Sequence, residues 1–219
     1  MSIISPIPKY LIERYHNWKA IEYEKNKKWF YHLAAEGQHP TTMVISCCDS
    51  RVHITSIFGA ETGEFFIHRN IANLVPPYAP NEDYHGSSAA IEYAVKNLNV
   101  AHIIILGHSN CGGVRMGHNI CSNHKENNKD DDEFISQWIN ILKPGYERID
   151  KSKTADEQIN QLEKEGVLIS LENLIGFPFV KSAVESGALT IHGLWNDIGE
   201  GNVEYYDEKK KKFITLNKH

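Results

Sequence analysis

The chain has no apolar run near the roughly 18 residues that cross a bilayer as a helix, so a membrane-spanning class and a membrane partner are not expected. Its start, MSIISPIPKY, carries no basic stretch ahead of an apolar core, and Pro6 and Pro8 interrupt it. A secretory leader is therefore not expected, and a cytoplasmic location is. Cysteine is scarce: Cys47, Cys48, Cys111 and Cys121 are the only four in 219 residues. Four do not make a disulfide scaffold; in a cytosolic chain they read as metal ligands, catalytic thiols or small core residues. Basic charge is in deficit, 23 Lys and Arg against 28 Asp and Glu, for a net charge of −5. That balance disfavours a nucleic-acid partner. Internal repeats and a linker of shifted composition are also lacking.

What remains is an ordinary globular composition, 41% apolar and 23% charged, in a length that suits one domain. The expected organisation is a single domain over 1–219, with a helical arm at 1–36 and an α/β core at 37–219. In the arm, Leu11, Tyr15, Trp18, Ile21, Trp29, Phe30 and Leu33 recur at three and four residues among charges, the spacing of an amphipathic helix. Gly37 and Pro40 end it. TTMVIS (41–46) and EFFIHR (64–69) read as strands, 87–98 as a helix, and AHIIILG (101–107) as a strand buried on both faces of a parallel sheet. A short helix or loop follows at GGVRMG, then a polar surface loop at 122–133 and a helix at 134–142. A further helical stretch is interrupted by Pro178. ALTIHGLW (188–195) is a late strand, and NVEYYD with KFITL suggests a small edge hairpin turning at the lysine run 209–212. Strands alternating with helices predict an α/β fold with a mainly parallel central sheet flanked by helices.

Two segments carry chemistry: Cys47-Cys48-Asp49-Ser50-Arg51 and His108-Ser109-Asn110-Cys111-Gly112-Gly113. Each follows a predicted strand, and sites in open parallel sheets form beyond the carboxyl ends of strands. One thiolate from the first segment with His108 and Cys111 makes a sulfur-sulfur-nitrogen set. Three such ligands are what a zinc ion takes when its fourth position stays open for chemistry. Alternation along an extended chain places Cys47, Asp49 and Arg51 on one side, which selects Cys47 as the ligand and leaves Cys48 as a small buried neighbour. Arg51 can pair with Asp49 and keep it ionised, ready to accept a hydrogen bond from a zinc-bound hydroxide.

These residues resemble the β-class carbonic anhydrases. The likeness runs through about 36–117 and includes CCDSR, FFIHRNIANLVPP (65–77), GSSAAIEYAV (86–95) and GHSNCGG (107–113), and it returns around ALTIHGLWNDIGEG. The resemblance implies a lyase, carbonate dehydratase, that hydrates carbon dioxide reversibly to bicarbonate and a proton by attack of zinc-bound hydroxide. It also implies one zinc ion (Zn2+) per subunit and a homodimer or homotetramer whose arm embraces a neighbouring subunit. It assigns the zinc to Cys47, His108 and Cys111 and a catalytic dyad to Asp49 and Arg51. Gln38 of GQHP would donate to the substrate, Phe66, Ile71 and Tyr93 would line an apolar pocket, and the Gly112 N–H would help hold a substrate oxygen. Where some bacterial members carry a tryptophan in an inhibitory bicarbonate site, this chain has Val44, so the open, plant-type site is expected. Two departures stand out: Cys48 replaces the usual Ser or Ala, and Ser109-Asn110 fills the gap between His and Cys. His53, His68, His85 and His102 lie in or beside the matched segments, and none is assigned as a proton carrier.

Other readings meet obstacles. GHSNC nearly forms the nucleophile elbow of α/β-hydrolases, with Ser109 as nucleophile and His192 as base, but Cys111 stands where a small glycine is needed. A non-catalytic zinc or bicarbonate binder leaves the Asp49–Arg51 pair without a purpose. A relative acting on another small linear molecule, such as carbon disulfide, would need a restricted access route.

Overall fold

The apolar segments line up as β1 (Thr42–Cys47), β2 (Phe65–Asn70), β3 (His102–His108) and β4 (Thr190–Asn196), followed by β5 (Val203–Asp207) and β6 (Lys212–Thr215). In the computed structural model, which describes residues 4–81, 86–122 and 133–217, they form one six-stranded sheet in the order β2-β1-β3-β4-β5-β6. The first four are parallel and the last two pair antiparallel, the predicted edge hairpin. Ile103, Ile105 and Leu106 of β3 are fully buried, each such burial contributing about 1.5–3 kcal/mol before other terms.

The helices of the first half are α1 (Lys9–Trp18), continued by a wider turn at Lys19–Tyr23, α2 (Lys27–Glu36), α3 (Ile54–Phe58) and α4 (Gly86–Glu92). Those of the second half are α5 (Gly112–Ser122), α6 (Glu133–Ile139), α7 (Lys143–Arg148), α8 (Ala155–Ile175) and α9 (Pro178–Glu185). The arm expected at 1–36 is thus two helices, broken where Asn26 leaves helical geometry (φ −107°). Pro178 does not interrupt a helix but starts α9, at the first-turn position where its missing N–H costs nothing. The segment 122–133, expected as a loop, falls mostly on 123–132, outside the described residues. Among the described residues no single helix is long and apolar enough to cross a membrane.

The chain divides into two compact units, Met1–His39 and Pro40–His219. In the first, α1 and α2 bury no residue, and the rings of Trp18, Tyr23 and Phe30 pack together with centroids 5.4–5.8 Å apart, Tyr23 stacked on Phe30 and Trp18 edge-on to Phe30. In the second, α8 crosses the sheet. It begins with a capping box: Glu157 donates its N–H to the Thr154 hydroxyl, and the Thr154 N–H donates to the Glu157 carboxylate at 2.9 Å. The helix lies close on β3 because position 107 is glycine. A Cβ there would stand 2.7 Å from Val167 Cγ2.

Candidate metal centre

β1 ends at Cys47 and β3 at His108, side by side in the sheet. The chain leaving β3 turns through Asn110 in the left-handed region (φ 56°) and places Cys111 at the mouth of α5. Asparagine is one of the few residues that adopt this conformation readily. The result gathers Cys47, His108 and Cys111, all buried, with their ligand atoms within 4.8 Å of one another.

The donor set fits a zinc ion. Cys47 Sγ and Cys111 Sγ are 3.9 Å apart, and two zinc–sulfur bonds of about 2.3 Å at a tetrahedral angle put the sulfurs about 3.8 Å apart. His108 donates its Nδ1–H to the Ser109 carbonyl at 2.9 Å. That leaves the Nε2 lone pair buried with no hydrogen-bond partner. A backbone carbonyl on one ring nitrogen and a bare lone pair on the other is the usual state of a metal-ligating histidine.

The electrostatics agree. A hydrogen bond from the Cys111 thiol, aided by His108 and by the N–H groups of Asp49 and Ala72, pulls the Cys47 thiol down to about 4, against its burial. Cys111 is pushed up because it holds the shared proton beside a thiolate and is buried. Burial works against a charged His108, but the neighbouring Cys47, the Ser109 carbonyl and the Asp49 carboxylate outweigh it and raise the imidazole. A metal cation replaces such shared protons.

Asp49 and Arg51 form the expected pair. Arg51 donates its backbone N–H and its Nε–H to Asp49 Oδ1, each at 2.9 Å, and its Nη2–H to Oδ2 at 2.7 Å. The guanidinium holds the Asp49 carboxyl far below the usual carboxylate range. Arg51 also donates to the Asn110 carbonyl at 3.0 Å, tying the two chemical segments together. Asp49 Oδ2 faces His108 Nε2 at 4.0 Å, at the edge of the ligand triangle and turned to Arg51.

The neighbour of the first ligand departs from expectation. Cys48 is exposed, not buried: β1 ends at Cys47, and alternation within a sheet no longer governs the next residue. Cys48→Ser is therefore expected to keep zinc and activity within about twofold, as surface substitutions usually do. Cys47→Ser loses most of both. Zinc content and hydration rate of the two variants check this, and the reverse pattern would reassign the ligand.

The pocket candidates are not plain core. Phe66 is half-buried against Tyr93, with ring centroids 5.9 Å apart, and Tyr93 and Ile71 are 45% and 38% exposed. Ile71 sits on the turn after β2. Its Cγ2 would lie 2.6 Å from a Cβ on Gly113, so the second glycine of the CGG run makes that approach possible. Gly112 is exposed and opens α5, where first-turn N–H groups lack helical partners. Gln38 follows α2 in the N-terminal unit and is exposed; its assignment as a substrate donor rests on the resemblance. Val44 is fully buried between strands.

Several supporting residues escaped the sequence reading. Arg69 donates to the carbonyls of Cys47, Asp49 and Val52 at 2.7–2.9 Å and pins the CCDSR loop. Asn70 holds the strained Ala72-Asn73 turn (φ 61° and 51°) by exchanging two hydrogen bonds with Leu74. Arg69 and Asn70 lie inside the quoted FFIHRN stretch, but nothing in their spacing separates them from solvated strand residues. Glu163, on α8, accepts the Cys111 N–H at 3.0 Å. The histidines are dispersed: His53 bonds Thr55 and Ser56, His68 bonds Ser87, His102 bonds Thr190, and His85 lies outside the described residues. The hydrolase reading fails here: Ser109 Oγ accepts the Ile198 N–H and leans on Asp197, whereas His192 bonds Thr190 on the same strand.

Comparison with known proteins agrees with this geometry. Residues 42–203 match the family model described as carbonic anhydrase. The chain is 38% identical over 194 residues to beta carbonic anhydrase 3 of Arabidopsis thaliana, covering 87% of this chain and 73% of that protein. It is 35% identical over 186 residues to beta carbonic anhydrase 5, chloroplastic, of the same plant, covering 83% of this chain and 58% of that one. Among solved structures it resembles the beta-carbonic anhydrase CcaA with a TM-score of 0.82 at 28% identity, over 96% of this chain and 92% of that one. It also resembles one of two tetrameric beta-carbonic anhydrases from Sordaria macrospora, with a TM-score of 0.73 at 30% identity, over 90% and 94%. On fold, donor set and likeness together, the chain belongs to the β-class carbonic anhydrases.

Proposed function

We propose that this β-class carbonic anhydrase, a zinc lyase, hydrates carbon dioxide to bicarbonate at the Cys47–His108–Cys111 centre, with one ion per chain and an open, plant-type site. The observation that carries the proposal is the buried ligand triangle with its unpartnered His108 Nε2. Zinc held there supplies a Lewis acid that lowers the pKa of a water from about 15.7 to about 7. Asp49, kept ionised by Arg51, accepts a hydrogen bond from the attacking oxygen and aims its lone pair at carbon. Carbon dioxide is small and apolar, so Phe66, Ile71 and Tyr93 offer it surface without charge. The Gly112 N–H donates to the substrate oxygen as negative charge develops. Both oxygens of Asp49 are engaged by Arg51, which supports the open form, and Val44 in place of a tryptophan supports a site without the bicarbonate switch.

The test is stopped-flow carbon dioxide hydration with a pH indicator on protein of measured zinc content. Fast hydration at one zinc per chain is expected. Full zinc without hydration would make the chain a binding protein or an enzyme of another small linear molecule.

The same reading includes a homo-oligomer, a dimer or a pair of dimers. Leu11, Tyr15, Trp18, Ile21 and Trp29 of the arm are each 42–63% exposed. Large apolar side chains exposed together along an amphipathic arm call for a covering surface. Sedimentation equilibrium is expected to give a dimer or tetramer mass, and a monomer at micromolar concentration would refute it. A cytoplasmic location belongs to this reading too, since the ligand thiols must stay reduced.

A further inference from the structure

A carboxylate stands behind the metal centre that the chemistry above does not use. Glu163 is only 3% exposed. Its Oε1 accepts the backbone N–H of Cys111 at 3.0 Å, and its Oε2 accepts the indole N–H of Trp195 at 3.3 Å. Lys164, the next residue, pairs with Glu204 at 2.5 Å and sets its ammonium over the Trp195 ring, 4.4 Å from the centroid. A carboxylate taken out of water is costly unless its oxygens are well satisfied. It is reached by design of the backbone. Gly107 lets α8 settle on the end of β3, with Val167 against it, and Glu163 lies one turn earlier on the same face of the helix.

We propose that Glu163 is a positioning residue for the metal: it fixes the Cys111 peptide so that the Cys111 sulfur faces Cys47 and His108, and so sets how firmly zinc is held. This rests on the zinc reading above. The chemistry explains why a carboxylate stands here. Both of its oxygens meet N–H donors, one from the ligand loop and one from β4. A glutamine of the same shape has one acceptor, and its NH2 would confront a donor whichever way it is turned. The loop that carries Cys111 is then held on one side by Arg51, through the Asn110 carbonyl, and on the other by Glu163. The ligand His108 is anchored separately, by Ser109.

The test measures the rate at which the zinc-loaded protein gives up zinc to a chromophoric chelator. Hydration activity is recorded beside it. The variants are Glu163→Gln, Glu163→Ala and, as a control for lost stability alone, Leu174→Ala. Leu174 is a fully buried residue of α8 in a different part of the core. Removing a partner that orients a metal ligand typically costs 10–100-fold in metal affinity. Zinc release is expected to quicken about 10-fold or more in Glu163→Ala and less in Glu163→Gln, which keeps one acceptor. Leu174→Ala should release zinc at the wild-type rate. Cobalt-substituted Glu163→Gln should also show a shifted thiolate-to-metal absorption band. If Glu163→Ala does not fold, Glu163→Gln decides alone. Release from Glu163→Gln at the wild-type rate with an unshifted band overturns the proposal while the zinc reading stands. A wild-type protein that takes up no zinc overturns both.

Discussion

Cys111→Ala is expected to lose bound zinc and to slow carbon dioxide hydration by at least about 10³-fold, because the metal's lowering of the water pKa from about 15.7 to about 7 is lost with it. The variant should still fold. Cys111 stands just ahead of α5, so alanine there interrupts no helix, and the sulfur contributes little core volume. What disappears is one corner of a triangle whose sulfurs are 3.9 Å apart. The remaining Cys47 and His108 make a two-ligand site, too few for a tightly held catalytic zinc. The checks are zinc stoichiometry by atomic absorption and stopped-flow hydration on the same sample. Zinc-loaded, active Cys111→Ala protein would refute the assignment of this centre.

Asp49→Asn should have an equally visible effect by a different route. Zinc is retained at one per chain, because Asp49 lies outside the triangle, and the turnover number falls about 10²–10⁴-fold, the usual contribution of a positioned proton-accepting side chain. The amide keeps the shape but offers an NH2 where the attacking oxygen needs an acceptor. It also offers Arg51 one oxygen in place of the two now bonded at 2.7–2.9 Å. Arg51→Lys should slow the reaction as well, since an ammonium cannot grip both carboxylate oxygens and the Asn110 carbonyl together. The discriminating result is the pairing of full zinc with low turnover. If zinc content fell in parallel with rate in Asp49→Asn, Asp49 would belong among the groups that hold the metal.

Much of this was legible along the chain because the informative features are local. Apolar runs of strand length at 41–46 and 101–107 are periodic signals, and they ended where β1 and β3 end, to within a residue or two. The two motifs follow those strands directly, which puts both at the carboxyl edge of a parallel sheet, and the strand order that makes β1 and β3 neighbours is set by the fold. The pairing of Asp49 with Arg51 is two residues long and needs no long-range knowledge. Cys48 was misplaced because alternation applies only while the strand lasts. The helical arm was seen, but its break at Asn26 was not, since no proline or glycine marks it.

The sequence by itself determined the ligand types, their order, and the parallel α/β frame that brings strand ends together. Residue chemistry and short-range periodicity carry that information. Only the tertiary structure decided what surrounds the ligands. Glu163 reaches Cys111 across 52 positions, and Arg69 reaches the CCDSR loop from a neighbouring strand. In EKEG the glutamate reads as one more solvated charge. Its one sign of difference is that it falls in line with Ile159 and Val167 on a buried stripe. The role of such a group is set by which backbone N–H groups the folded chain turns toward it, and that arrangement exists only once α8 has packed onto the sheet.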